Sequence, residues 1–281
     1  MDKAGIEAVF EKVGLTRLKK DIDALARPSI RLTLTKVDES TLQAGVSKFG
    51  GVPDLPDGTA WPEKKGQPQS FIAQIRLEDV HAYDVDKVLP EKGTLWFFYD
   101  AAQETYGDDP ADREGWSVLF AMSAAPKRAT VPAKLAAESQ FHASLLSFAT
   151  EYTLPQDPKV EITAFDWSEE EQKKYEQILS TFPSKEEHDT LHNRLLGNPD
   201  TIQDDMHIQC QLTSHGVTDA DDPKAKELAK GTMDWQLLLQ VDSNEQVGMH
   251  WGSSGMLYYW ITRADLQAQQ FGATWLVLQS D

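Results

Sequence analysis

Two histidines, His188 and His192, stand four residues apart, the spacing that turns both imidazoles of a helix toward one metal ion. The residues between them are Asp-Thr-Leu, so the glutamate of the H-E-x-x-H metalloprotease pattern is missing. Sequence nominates no third ligand, and neither a metal nor a cofactor is expected. His207 and Cys210 are poorly spaced for a strand to bring to one ion, and Cys210 reads as a small buried hydrophobe. Asp219, Asp221 and Asp222 lack the glycine and glutamate a calcium loop needs, and helix capping accounts for them. Trp251 to Gly255 reads W-G-S-S-G, which is not the spacing of a nucleophile elbow and reads better as a hairpin turn. Neither a P-loop nor G-x-G-x-x-G occurs.

What remains is a pool of polar and aromatic residues in two stretches. Asp54, Trp61 and Gln74 form the first; Gln203, Asp205, Gln240, Asp242, His250 and Trp251 form the second. Stiff Pro/Gly loops that present Trp, Gln and Asp suit recognition of a polar ligand or a protein surface. The same residues also answer purely backbone demands, with glycine taking left-handed conformations and Trp61 covering the core. A glutamine inside an apolar strand is costly unless its amide is bonded. Gln74 and Gln240 are therefore either clasps to loop backbone or ligand contacts. An enzyme would use Asp54, Asp205 or Asp242 as acid or base with His250 nearby, and these groups would have to line one concave pocket.

The elements that must position them are mainly strands. Alternation or apolar runs predict strands at Ile30–Lys36, Phe71–Leu77, Thr94–Tyr99, Trp116–Met122, Trp235–Val241, Met256–Ile261 and Trp275–Leu278. Helical spacing marks residues 3–26, broken at Gly14 and ended by Pro28. Capping boxes at Ser168–Glu171 and Ser184–Glu187 predict two further helices, the second running through Leu191 and Leu195 to a stop at Gly197. A short helix is expected after Thr262.

The two strand blocks resemble each other. Each has a G-x-P-D turn (Gly51–Asp54, Gly197–Asp200), an apolar strand with one glutamine (Gln74, Gln240), and a glycine before an aromatic strand (Gly93, Gly255). The expectation is a duplicated β unit sharing one core. The fold class is α+β, mainly β: a roll of two related β segments with peripheral helices. Residues 1–28 form an N-terminal helical segment and residues 29–281 the main domain. Its halves are roughly 29–155 and 190–281, with a helical insert at 156–196.

The chain has 281 residues and a formal charge of −18. That charge argues against nucleic-acid binding, which depends on Lys and Arg neutralising phosphates. It suits either simple solubility or a protein partner with a basic surface. One cysteine forbids an internal disulfide. No apolar run approaches the ~20 residues of a membrane helix, and the first fifteen residues are charged throughout, unlike a secretory signal. Cytoplasmic location is the expectation.

The segment Gly50–Val80 resembles the opening signature of the YwqG-like family of uncharacterised, mostly bacterial proteins. Gly50, Gly51, Pro53, Leu55, Pro56, Trp61, Pro62, Pro68, Phe71 and Gln74 fill its pattern. L-P-E-K-G-T-L-W-F-F-Y at Leu89–Tyr99, the His192–Met206 stretch (with Asn193 inserted between His192 and Arg194), and W-Q-L-L-L-Q-V with the later W-G and G-M-L-Y-Y-W-I are similar to its later motifs. The likeness covers residues 45–281. Where members commonly carry an acidic residue after W-G, this chain has Ser253 and Ser254. The resemblance implies a mainly β roll with peripheral helices and no transferable enzymatic activity. The association of some relatives with toxin systems implies an immunity role. The overall expectation is a noncatalytic binding protein; the alternative is a small-ligand receptor or enzyme with its site between the two β segments.

Overall fold

The computed structural model describes residues 1–281 except 123–125, 163, 189 and 220. Its frame is one antiparallel sheet of ten strands: β1 (Arg27–Lys36), β2 (Lys48–Phe49), β3 (Ser70–Arg76), β4 (Thr94–Tyr99), β5 (Trp116–Ala121), β6 (Ser144–Thr153), β7 (Asn193–Leu195), β8 (Trp235–Asp242), β9 (Met256–Thr262) and β10 (Trp275–Gln279). Across the sheet they run β10-β9-β8-β7-β1-β6-β2-β3-β4-β5. The order is balanced about β1 and β6. On one side a short strand leads to three long ones, and the other side repeats that arrangement.

The sheet curls so that its arms meet. Phe97 of β4 packs edge-on against Tyr259 of β9 at 5.1 Å, and Trp116 of β5 packs against Trp275 of β10 at 4.9 Å. Tyr259 Oη donates to the Phe98 carbonyl (3.1 Å), and Trp116 Nε1 to the Thr274 carbonyl (3.0 Å). Strands β3, β4, β8 and β9 bury nearly every residue because they are covered on both faces, which is why they read as continuous apolar runs rather than alternations. The fold is α+β and mainly β.

Helices lie outside this sheet. α1 (Lys3–Lys12), α2 (Lys19–Leu25) and α3 (Glu169–Leu179) enclose a second apolar cluster of Ile6, Phe10, Ile22, Leu25, Trp167 and Tyr175. α3 starts with the complete Ser168/Glu171 capping box. α4 (His207–Ser214) seats Gln211 where its Oε1 accepts from Trp235 Nε1 (2.7 Å). A third cluster, Leu55, Phe71, Trp96 and Phe98, lies beneath Trp61.

Two expectations fail locally. Ser184 does cap a turn of helix, but it covers only Lys185–His188, and Asn193–Leu195 form a strand instead of more helix. Pairing of these three residues with β1 on one side and β8 on the other outweighs local helix propensity. Gly197 therefore follows a strand and does not stop a helix. The long strand β6 was not expected at all. It faces solvent over much of its length, so its sequence carries few of the apolar signals that mark a strand.

Candidate functional site

The G-x-P-D turns and the two glutamines meet. Gln74 Oε1 accepts from the Asp54 backbone N–H (2.7 Å), while its Nε2 donates to the Val46 carbonyl (2.7 Å) and Asp54 Oδ2 (2.9 Å). In the other half, Gln240 Oε1 accepts from the Asp200 N–H (2.9 Å), and its Nε2 donates to the His192 carbonyl (2.7 Å) and Asp200 Oδ2 (2.8 Å). The agreement extends outward. Lys48 Nζ reaches the Val52 carbonyl (2.5 Å), and Arg194 reaches the carbonyl of Asn198 (3.2 Å). Trp96 Nε1 donates to the Asp54 carbonyl (2.8 Å); Tyr258 Oη donates to that of Asp200 (2.6 Å).

Backbone geometry repeats as well. Gly50 and Gly51 have φ of 59° and 70°, and Leu196 and Gly197 have φ of 60° and 78°. A bulge lies between Phe71 and Ala73 in β3 and between Leu237 and Leu239 in β8, ahead of each glutamine. The bulge turns the glutamine toward the loop, and the left-handed pair folds the loop back over it. Both buried amides are thus fully occupied by the chain itself.

The clasps carry charge. Asp54 is buried with Lys48 (3.5 Å) and Arg128 beside it. Burial works against its ionisation, but Arg128, the Gly45 N–H and Lys48 together hold its carboxyl below the usual range. In the second clasp Asp200 bonds Arg194 and His192 Nδ1 (3.1 Å). Burial again opposes the charge, and Arg194 and His192 outweigh it, so Asp200 stays well below the usual carboxylate range. Arg194 also donates to Glu151 (3.0 Å), which Arg31 approaches from β1 (3.3 Å). His192 Nε2 faces the Glu187 carbonyl (3.1 Å). Burial lowers the affinity of His192 for a proton, but two flanking acceptors, Asp200 foremost, raise it overall. His188 and His192 have ring centroids 6.3 Å apart; His192 lies beyond the helical turn and its ring is bound to Asp200. Among the described residues no three metal-ligating side chains come together.

The remaining nominated residues lie elsewhere. Trp61 Nε1 donates to the Gln69 carbonyl (2.8 Å), and its ring packs edge-on against Phe98. Asp242 accepts from the His192 N–H (2.9 Å), and burial raises its carboxyl above the usual value. Trp251 is fully buried between Tyr99 and Phe141, whereas its neighbour His250 is exposed. Gln203 bonds the Ser280 carbonyl (2.8 Å), and it lines a cavity of about 180 Å3 together with Asp205. The nine residues are therefore divided among the two clasps, the core, the surface and that cavity. The sequence reading passed over Lys48, Arg194, Glu151 and Asp200 as site members. The recurrence of G-x-P-D was the available signal for Asp200; the cations sit in strands of two and three residues that carry no pattern.

A larger, open groove of about 800 Å3 runs over β1 and β6. Arg31, Thr33, Glu151, Glu187, Asn244 and Glu245 are among the residues that line it. Glu187 and Glu245 are exposed, while Arg31 is turned toward Glu151.

Residues 47–280 match the family model described as a domain of unknown function, DUF1963. No curated protein matches the chain.

Proposed function

The chain belongs to the DUF1963 family, and from that starting point we propose that it is a noncatalytic binding protein whose groove over β1 and β6 receives a basic segment of a protein partner. The observation that carries this reading is the groove itself, an open surface whose exposed charged side chains, Glu187 and Glu245, are acidic on a chain of charge −18. Such a field speeds the encounter with a cationic partner and disfavours nucleic acid. The acids of the two clasps, buried Asp54 and half-buried Asp200, already have their partners within the fold, which supports a structural rather than a reactive task for them.

Finer points belong to the same reading. The chain is a YwqG-like member on the motifs quoted above, cytoplasmic, and built by duplication of one clasp-bearing β unit within residues 29–281. The matching clasps, bulges and left-handed pairs support the duplication. If its partner is a basic toxin, it serves as an immunity protein. The test is affinity capture from the native organism, with the products of neighbouring genes included. The expected result is a stoichiometric basic partner released by raised salt and lost with Glu187→Lys/Glu245→Lys. Turnover of a small substrate with no retained partner would contradict it.

A further inference from the structure

The cavity of about 180 Å3 lies between the turn of helix at Pro158–Glu161 and the start of α4. Four carboxylates line it, Asp157, Glu161, Asp204 and Asp205, together with His207, and no Lys or Arg is among its described lining residues. An acidic lining alone would say little. The informative group is His207, which is 3% exposed. Its Nδ1 stands 2.7 Å from Asp205 Oδ2. A carboxylate only accepts, so Nδ1 holds a proton toward Asp205, and in that tautomer of the ring Nε2 presents a bare lone pair.

That nitrogen has no hydrogen-bond partner. Glu161 Oε1 stands 4.0 Å from it, beyond hydrogen-bond reach even for a protonated ring. The second oxygen of Glu161 is held by Arg27, which leaves Oε1 facing the cavity. A buried nitrogen without a partner thus stands beside a carboxylate oxygen of Glu161, with no hydrogen bond between them. Buried polar groups are nearly always paired, and a pair of acceptors is completed by a group with at least two N–H donors.

We infer that this cavity binds an organic cation bearing N–H donors, a primary ammonium or a guanidinium, which bridges His207 Nε2 and Glu161 Oε1. The carboxylate lining supplies the attraction for its charge, and the volume suits a short aliphatic amine or an arginine head group, being smaller than the usual drug-sized pocket. A bare metal ion fits less well, since no three ligating side chains converge among the described residues. The inference is independent of the partner proposed for the groove, because neither Glu187 nor Glu245 lines this cavity.

The cation is either a free small molecule or a Lys or Arg side chain of a protein. The experiment titrates the full chain with spermidine, with free arginine, with a short Lys/Arg-containing peptide, and with tetramethylammonium as a cation without N–H donors. The 15N resonance of His207 Nε2 and the heat of binding are the readouts. Saturable movement of that resonance with spermidine or arginine assigns a free ligand; movement with the peptide alone assigns a side chain. His207→Phe is expected to weaken binding tenfold to a hundredfold, the range for one charge-assisted hydrogen bond. Glu161→Gln also removes the partner of Arg27, so Asp205→Asn, which frees the ring without touching Arg27, is the second variant and should weaken binding as well. An equal response to tetramethylammonium, or no response to any of these cations, overturns the inference.

Discussion

Gln74 and Gln240 each satisfy a loop N–H, a carbonyl and a carboxylate from inside an apolar strand. Replacing either by leucine strands those groups in the interior, and an unmet buried polar group costs roughly 1–3 kcal/mol. Gln74→Leu and Gln240→Leu should therefore each lose about 3 kcal/mol in denaturant unfolding, and by similar amounts. A loss at only one would mean the clasps are not equivalent. Charge gives a second test. Asp54 and Asp200 are held below the ordinary carboxylate value, so their stabilisation is present above about pH 4 and fades as pH falls through their folded values. Asp242, raised by burial, works in the opposite sense and favours low pH. The unfolding midpoint should drop on acidification below pH 4, with a shallower slope in Asp200→Asn. His192 is raised, so its contribution is complete below about pH 6.5 and is lost as pH rises through its folded value; His192→Gln should remove that alkaline loss. At this scale the amides were legible in the sequence, because a lone glutamine in an apolar run demands partners. Their cations were not, since nothing local distinguishes Lys48 or Arg194.

The elements depend on backbone positions that only glycine fills easily. A Cβ on Gly50, at φ 59°, would lie 2.4 Å from the His142 carbonyl oxygen, and one on Gly197, at φ 78°, would lie 2.6 Å from Ser29 Cβ. Gly50→Ala and Gly197→Ala combine a left-handed penalty of roughly 1–2 kcal/mol with a clash, and each should cost more than about 2 kcal/mol in thermal or denaturant unfolding. Gly58 also has positive φ, but nothing stands within 4 Å of its Cβ position, so Gly58→Ala should cost only the backbone penalty. Strands buried on both faces announced themselves as aromatic and aliphatic runs, as at Thr94–Tyr99 and Met256–Thr262. β6 did not, because Leu145, Ser147 and Ala149 point to solvent. β7 was hidden by a capping box close upstream, and only its two neighbouring strands make it a strand.

At the scale of the molecule, the contacts Phe97–Tyr259 and Trp116–Trp275 tie the arms of the sheet together. Tyr259→Ala removes a buried ring and the bond from its hydroxyl to Phe98; aromatic truncations of this kind cost about 3–5 kcal/mol. Because the ring spans both arms, tryptophan fluorescence and far-UV dichroism should both report the loss in one shared transition. The balanced strand order was half legible: the recurrent turn, glutamine and glycine pointed to like segments, whereas the central placing of β1 and β6 follows from pairings between residues far apart in the chain. The acidic charge was legible from composition, but its exposed display at Glu187 and Glu245 over the groove required the fold. The most direct test of the docking account is calorimetric titration of the captured basic partner against two double variants. One is Glu187→Lys/Glu245→Lys in the groove; the other is Glu91→Lys/Glu104→Lys, equal in charge change and exposed away from it. The account predicts a loss of at least tenfold in affinity for the groove variant and a near-native value for the other. Equal weakening of both, or of neither, would contradict it.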